Sequence, residues 1–371
     1  MFAKGQTVIQ WMEGFAPKYI AVPDDRIGLQ LGTLQKEIKK AMIALDVTDA
    51  VVTEAIDSGV DLIIAHHAII FRPLAHLQTD TPAGKLYERL IKHDIAVYIS
   101  HTNLDTADGG VNDMLADALG LMDRKALSTI YTEKNKKLVV FVPETHEDVV
   151  QKAIFAAGAG EFDQYSECAF RVKGTGTFRP RAGSNPYIGS VDESESVSEV
   201  RIETIFPEHL ERKIVQAMIK SHPYEEAAYD IYTMDRDSRS FGLGRVGYLS
   251  EPLSLAELAE KVKMAFQLPC VRVVGSLDCS IRKAAVLGGA GSRYTRHAQF
   301  AGADVLITGD IDYHTAHDAL AAGLCIIDAG HHIESILKDK LAARLQHLAS
   351  EKKVETQFIA SKLSTEVFQF I

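Results

Sequence analysis

The stretch DLIIAHHAIIF, residues 61–71, decides the fold, because a fully apolar run stops abruptly at two histidines. Consecutive apolar residues without polar alternation predict a strand that is buried on both faces, as in a parallel sheet. The stretch IAVYISHTNLD, residues 95–105, repeats this pattern, and the amphipathic segment LYERLIKHD lies between the two. Buried strands separated by helices predict an α/β sheet with helices on both faces.

Two later stretches of the chain end in the same way. They are DVLITGD, residues 304–310, and LCIIDAGHHIES, residues 324–335. Ligands of open α/β sheets bind beyond the carboxyl ends of the strands. Polar residues that follow these four strands can therefore meet at one site, although they lie far apart in the sequence.

The adjacent pair His66 and His67 is the first candidate for such a site. Neighbouring side chains of a regular strand point to opposite faces, so both can reach one site only if the chain turns as the strand ends. Neutral imidazoles beside carboxylates are ligands for divalent transition metals. The alternative is a pair of hydrogen-bonded histidines in the core, but the end of so apolar a strand favours metal binding.

Carboxylates and further histidines follow the other strands. Asp105 is placed to bridge metals, and its alternative role is that of a helix cap or turn residue. His331 and Glu334 are three residues apart, which places both side chains on one face of a starting helix. The alternative for Glu334 is a favourable interaction with the helix dipole. His101 is a candidate for proton transfer or substrate contact, and Asp310 for a hydrogen bond that supports a ligand histidine.

The middle of the chain follows a different pattern. Residues 128–235 read as strand, helix, two strands, helix and strand, which predicts a ferredoxin-like α+β sandwich. The polar stretch at 234–240 is typical of an exit linker. We therefore expect one α/β domain whose two halves, residues 1–127 and 236–371, are interrupted by this insert.

Bulk composition excludes several classes of protein. The formal net charge of -10 argues against binding along a nucleic-acid backbone. No apolar run approaches the roughly 20 residues of a membrane-spanning helix. The 4 cysteines form no CxxC pair, and the first residues lack the layout of a secretion signal. These observations predict a cytoplasmic protein with reduced thiols.

Taken in order, several motifs of the chain resemble those of one family. They are GLQLG at 28–32, AHHAIIF at 65–71, SHTNLD at 100–105, TGDIDYH at 308–314 and DAGHHIES at 328–335. The sequence resembles the GTP cyclohydrolase 1 type 2 homolog family, also described as NGG-interacting-factor-three-like, in its long bacterial form. The resemblance implies a two-lobed α/β domain with a dinuclear metal centre, a PII/CutA-like insert and assembly as a homohexamer. It also implies a set of metal ligands in which Glu334 bridges the ions: His66, His67, Asp105, His331 and Glu334.

The main functional hypothesis is a metal-dependent hydrolase that acts on a small molecule, with a nucleotide such as GTP as the substrate that the resemblance implies. His101 and Asp105 are its candidate catalytic residues. The ligand set favours two zinc ions, and manganese, iron, cobalt and nickel suit the same donors. The alternative is a metal-binding regulatory or chaperone protein with a ligand-sensing PII-like module. A nucleic-acid scaffold is a third reading, which the acidic charge disfavours.

Overall fold

The computed structural model of the protein describes residues 1–162 and 164–371, apart from the side chains of residues 236–238. The chain divides into two compact units. The first unit comprises Met1–Tyr131 and Phe241–Ile371, and the second unit comprises Thr132–Ser240.

Strands and helices alternate through most of the chain. The strands are β1 (Ala3–Lys4), β2 (Gly28–Leu31), β3 (Glu37–Ile38), β4 (Lys40–Ala44), β5 (Leu62–Ala65), β6 (Ala96–Ile99), β7 (Met122–Pro143), β8 (Ala169–Phe178), β9 (Glu195–Pro207), β10 (Tyr229–Ser254), β11 (Arg272–Val274), β12 (Ser280–Ala290), β13 (Val305–Gly309), β14 (Cys325–Asp328) and β15 (Gln357–Ala360). The helices are α1 (Gly5–Phe15), α2 (Asp49–Asp57), α3 (Pro82–Lys92), α4 (Thr102–Thr106), α5 (Val111–Leu119), α6 (Glu147–Ala156), α7 (Glu211–Ser221), α8 (Leu255–Phe266), α9 (Thr295–Phe300), α10 (Tyr313–Ala321) and α11 (Leu337–Glu351).

The first unit contains two sheets with parallel centres. One has the order β15-β4-β5-β6-β2, in which only β2 is antiparallel to its neighbour. In the other, β12, β13 and β14 are parallel, and β11 and β10 flank them as antiparallel strands. All four residues of β5 and all four of β6 are buried, as their uninterrupted apolar character predicts. The predicted α/β class is confirmed.

Side chains near the starts of several helices explain where these helices begin. The hydroxyl of Thr48 accepts from the backbone of α2, and Thr81 does the same for α3, which starts with Pro82. Ser254 and Glu257 form a capping box at α8. These caps satisfy backbone N–H groups that have no partner within the helix.

The second unit has the element order β-α-β-β-α-β, and its strands lie in the order β10-β7-β9-β8. Its core lies between one face of the sheet and the two helices α6 and α7. Apolar side chains of β7, β9 and both helices fill this core: Leu138, Val140, Val142, Val150, Ile154, Val200, Ile202, Ile214 and Met218. The opposite face of this sheet is not part of the core.

The stretch predicted as an exit linker, 234–240, lies within β10, and the side chains at 236–238 lie outside the described part of the chain. A polar sequence does not exclude a strand, because polar residues can occupy the exposed positions of a strand as readily as they occupy a loop. Among the described residues, no helix combines the length and the apolar character needed to cross a membrane.

Candidate metal centre

His66 and His67 follow the last residue of β5 and lie at the carboxyl ends of the parallel strands. Their backbone N–H groups donate to the carbonyls of Ala44 and Leu45, at 3.1 and 3.0 Å, so the chain still follows β4 beyond the end of β5. His66 is fully buried, while the side chain of His67 is 26% exposed. Both imidazoles nevertheless face the carboxylate of Glu334, as metal binding by the pair requires.

Each imidazole that reaches Glu334 has its Nδ1 atom held by an oxygen acceptor. The acceptors are Ser100 O at 3.0 Å from His66, Asp46 Oδ1 at 2.7 Å from His67, and Asp310 Oδ2 at 2.7 Å from His331. An acceptor at Nδ1 requires a proton there, so Nε2 of a neutral ring carries a lone pair. This is the arrangement that orients histidines toward a metal ion.

The carboxylate of Glu334 lies at the centre of the cluster and is almost fully buried. Its Oε2 atom lies 3.2 Å from His67 Nε2, 3.3 Å from His331 Nε2 and 3.8 Å from His66 Nε2. Asp105 Oδ1 lies 3.5 Å from the same Nε2 atom of His66. One carboxylate oxygen is therefore shared by three imidazole nitrogens.

The position of Glu334 follows from local backbone geometry. Residues His331–Ile336 form a 3-10 helix, in which side chains three residues apart are eclipsed. His331 and Glu334 therefore lie one above the other. A Cβ atom at Gly289, whose φ is +67°, would lie 2.7 Å from Glu334 Oε1. Glycine at 289 leaves the space that this carboxylate occupies.

Three atoms of the cluster are buried and accept or donate no hydrogen bond within the described chain: His66 Nε2, Asp105 Oδ1 and Glu334 Oε2. An unsatisfied buried polar group destabilises the folded state by about 1–3 kcal/mol. A cation bound by these lone pairs would satisfy all three atoms. The donor set, three imidazoles and two carboxylates, therefore fits divalent metal.

The electrostatics of the cluster favour positive charge. Burial works against a protonated imidazole, but the hydrogen bond to Asp46 and the nearby carboxylate of Glu334 raise the pKa of His67 to about 10. Glu334, with Asp310, likewise raises the pKa of His331 to about 9. Burial raises the pKa of Asp105, and the nearby Glu334 charge adds to this effect. The negative charge of Glu334, which raises the pKa values of His67 and His331, would also attract a metal cation.

His101 lies at the open side of the cluster. Its Nδ1 atom donates to Asp25 Oδ1 at 2.9 Å, and its ring centre lies 5.0 Å from that of His66. Asp25 also accepts from the backbone and the hydroxyl of Thr102, and these hydrogen bonds with His101 and Thr102 lower its pKa despite its burial. The side chain of His101 is 32% exposed, so a small molecule can reach it.

The structure brings the predicted site residues together in three overlapping groups, each with ligand atoms within 4.8 Å of one another. The groups are His66 with His67 and His101, His67 with His331 and Glu334, and His66 with Asp105 and Glu334. His332 and His314 belong to none of these groups within the described chain. Asp310 contacts His331 as expected, whereas sequence reasoning missed Asp25 and Asp46.

The comparisons with known proteins agree with the motifs. The sequence profile of Duf34/NIF3, described as NGG1p interacting factor 3, matches residues 3–366. The chain belongs to this family. The GTP cyclohydrolase 1 type 2 homolog of Halalkalibacterium halodurans is 52% identical to this NIF3-family chain over 369 residues, covering 100% of this chain and 99% of that protein. The protein of the same name from Bacillus subtilis is 50% identical over 367 residues, or 99% of this chain and 98% of that one.

A solved structure described as a Bacillus cereus protein related to NIF3 has the same fold. It superimposes with a TM-score of 0.91 at 48% sequence identity and covers 100% of both chains. A Staphylococcus aureus protein of known structure matches with a TM-score of 0.80 at 30% identity, covering 100% of this chain and 99% of that one. The recognised family and the mixed α/β NIF3 fold are confirmed, and the buried cluster of this NIF3-family chain could hold a metal ion.

Proposed function

We propose that this protein is a hydrolase that works with two divalent metal ions bound around Glu334. The observation that carries the proposal is that Glu334 belongs to two groups of ligand atoms, one with His67 and His331 and the other with His66 and Asp105. A carboxylate shared between two groups of donors is suited to bridge two ions. Zinc suits these ligands best, and manganese, iron, cobalt and nickel accept the same donor types.

Two divalent ions held here would lower the pKa of water and offset negative charge on a developing oxyanion. The residues of the chain would supply orientation and proton transfer. Asp25 holds the Nδ1 proton of His101, so the Nε2 atom of a neutral ring is free to accept a proton. Asp105, buried against His66, would hold one ion in a fixed position. His101 and Asp105 are therefore the proposed catalytic residues.

We propose a small organic substrate and take nucleotides as the first class to test. The support for nucleotides is the name that the relatives carry, GTP cyclohydrolase 1 type 2 homolog. The exposed side of the cluster, at His101 and His331, is the side from which such a substrate would enter.

The test combines metal content with turnover. Metal per chain is measured by elemental analysis of protein purified without added metal or chelator, and hydrolysis of a nucleotide panel that includes GTP is followed by chromatography. We expect about two ions per chain in the wild type and fewer in Glu334→Gln. Asp105→Asn should lose turnover, whereas Glu260→Gln on the exposed surface of α8 should retain both properties. Equal rates in wild type and Asp105→Asn would remove the case for catalysis.

A second candidate function is that of a metal-binding regulatory or chaperone protein, with the second unit as a ligand-sensing ferredoxin-like module of the PII/CutA type. Its support is the β-α-β-β-α-β element order with strand order β10-β7-β9-β8. In this reading the metal is cargo or a structural clamp. A full metal complement with no turnover of any tested compound would favour it over the hydrolase.

We also propose that the chain assembles as a homohexamer, as the family resemblance implies. The net charge of -10 disfavours binding to nucleic acid. Light scattering coupled to size-exclusion chromatography measures the mass directly. A mass of one chain of 40.7 kDa would contradict the hexamer.

A further inference from the structure

The sheet of the second unit has one face that does not pack against its helices. Strand register places Gly174 opposite Glu199 and Val172 opposite Arg201 on this face, while Val200 and Ile202 point into the core. A Cβ atom at Gly174 would meet no atom within 4 Å. Because glycine has no side chain, the bare backbone of Gly174 forms part of the floor of a cavity.

Glu199 provides a buried acceptor in this cavity. The residue is only 8% exposed, and the hydroxyl of Tyr224 donates to its Oε1 atom at 2.9 Å. Its other oxygen, Oε2, lies over Gly176, where a Cβ atom would approach to 2.2 Å. Within the described chain no group donates a hydrogen bond to Oε2. Oε2 is therefore available to accept a hydrogen bond from a ligand in the cavity.

The connection between β8 and β9 forms the opposite wall. The backbone N–H of Asn185 donates to Glu225 at 2.9 Å, which ties this connection to the segment that follows α7. Tyr187 of the connection lies 6.3 Å from the ring of Tyr224, and Phe178 lies 5.8 Å from it. The cavity between these walls is open to solvent on one side, has a volume of about 990 Å³ and is lined by all three aromatic rings. Aromatic walls of this kind suit a planar ring.

Two guanidinium groups complete the lining. Arg179 and Arg181 both border the cavity, and neither forms an ion pair with a residue that the structure describes. Arg201, also in the lining, is paired with Glu203 at 2.8 Å. Guanidinium groups without a carboxylate partner are suited to bind phosphate oxygens.

We propose that this cavity binds a nucleotide whose base carries adjacent N–H donors, as guanine does. The base would donate to Glu199, lie over the bare backbone at Gly174 and stack against Tyr187 or Tyr224. Its phosphate would meet Arg179 and Arg181. The site is distinct from the metal centre and is independent of the hydrolase activity proposed above, because all its lining residues belong to the second unit.

Adenine provides the discriminating comparison, since its exocyclic amine has no neighbouring ring N–H on the same edge. A carboxylate therefore selects guanine over adenine. Removing a hydrogen bond to a charged group weakens binding by about tenfold to a hundredfold. Glu199 should therefore determine both the preference for guanine over adenine and the affinity for the nucleotide.

The experiment is calorimetric titration of the full-length protein with GMP, AMP and inorganic phosphate. The variants are Glu199→Gln, which removes the charge, and Gly174→Val, which fills the cavity floor with a side chain that strands accept. Glu161→Gln is the matched control, because Glu161 is an exposed carboxylate of the second unit that lies outside the cavity lining. Thermal unfolding of each variant verifies that it folds.

We expect GMP to bind to the wild type, to Glu161→Gln and to the metal-centre variant Glu334→Gln with similar affinity. AMP and phosphate should bind at least about tenfold more weakly, and Glu199→Gln should weaken GMP by a similar factor. Gly174→Val should abolish binding. Equal affinity for GMP and AMP would overturn the proposal, and so would GMP binding that is lost in Glu334→Gln but kept in Glu199→Gln. No GMP binding to folded wild type would overturn it as well.

Discussion

Asp46 Oδ1 lies 2.7 Å from His67 Nδ1, and Thr365 donates to the other oxygen of the same carboxylate. Burial works against the charge of Asp46, but its hydrogen bonds with His67 and Thr365 lower its pKa. Asp46 thus stays ionised and holds the His67 ring with Nε2 toward Glu334. The ligand role assigned to His67 therefore depends on a residue that is not itself a ligand.

Asp46→Asn should weaken metal binding by about 10–100-fold, because an amide accepts the Nδ1 proton less strongly than a carboxylate. The dissociation constants are measured by competition with a chromophoric zinc chelator. Asp318→Asn, on an exposed position of α10, is the control and should bind as the wild type does. Unchanged affinity in Asp46→Asn would show that this hydrogen bond does not orient a ligand.

Gly289→Ala should reduce metal content, because the new methyl group takes the place of Glu334 Oε1. Gly59→Ala is the matched control, since its φ is +64° and its Cβ atom would meet nothing within 4 Å. Both substitutions should destabilise the fold by about 1–2 kcal/mol through the left-handed backbone. Urea unfolding measures that shared loss, and elemental analysis should show reduced metal in Gly289→Ala alone. Equal metal in both variants would contradict the steric argument.

Asp25→Asn should lower turnover by about 10²-fold or more while metal content stays at the wild-type level. The reason is that Asp25 positions His101, which is proposed to move a proton, whereas the other imidazoles have their own acceptors. Asp24→Asn is the control, because asparagine tolerates the φ of +65° at that position. Loss of metal in Asp25→Asn would instead place His101 among the metal ligands.

The ion pair between Asp113 and Arg245 should make stability depend on pH. Arg245 is buried and its Nε and Nη2 atoms contact Asp113 at 2.7 and 2.8 Å. Burial opposes the charge, but the guanidinium holds the pKa of Asp113 below its ordinary 3.8. The pair therefore stabilises fully above the ordinary pKa, and its contribution is lost as the pH falls through the lower, folded-state value.

Asp113→Asn should consequently destabilise the protein by about 3 kcal/mol at pH 7, because the buried guanidinium loses the carboxylate that it contacts directly and keeps only that of Asp108, at 3.7 Å. The difference in urea midpoint between wild type and variant should shrink as the pH is lowered below the ordinary pKa of 3.8. A difference that stays constant from neutral to acid pH would assign the effect to packing rather than charge.

Much of the site could be predicted because the apolar strands end at their functional residues. His66, His67 and Asp310 each follow a buried strand directly, and parallel strands bring their carboxyl ends together. Asp46 carries the same signal, two residues after β4, yet it was missed because a lone aspartate reads as a turn residue. Asp25 follows a short apolar run, YIAVP at 19–23, that forms no strand of a sheet, so only the tertiary structure reveals its role.

The sequence patterns predicted neither the geometry within the site nor the limits of the two units. The spacing of His331 and Glu334 predicts a shared helical face, but the tighter 3-10 turn that aligns them is set by the surrounding packing. The long strands β7 and β10 run through residues 128 and 235, so no loop marks either position. Predicted domain limits rest on such loops, and a continuous strand gives no local signal of where one unit ends.

Strand β15, at Gln357–Ala360, is the edge strand that pairs with β4 in the first sheet, so two neighbouring strands are widely separated in the sequence. During synthesis this sheet is therefore complete only after residues 357–360 have left the ribosome. The second unit, by contrast, is continuous in sequence and can fold as soon as it emerges. A nascent chain should therefore carry a folded second unit while the first still exposes its apolar strands, which is the period in which chaperones would be needed most.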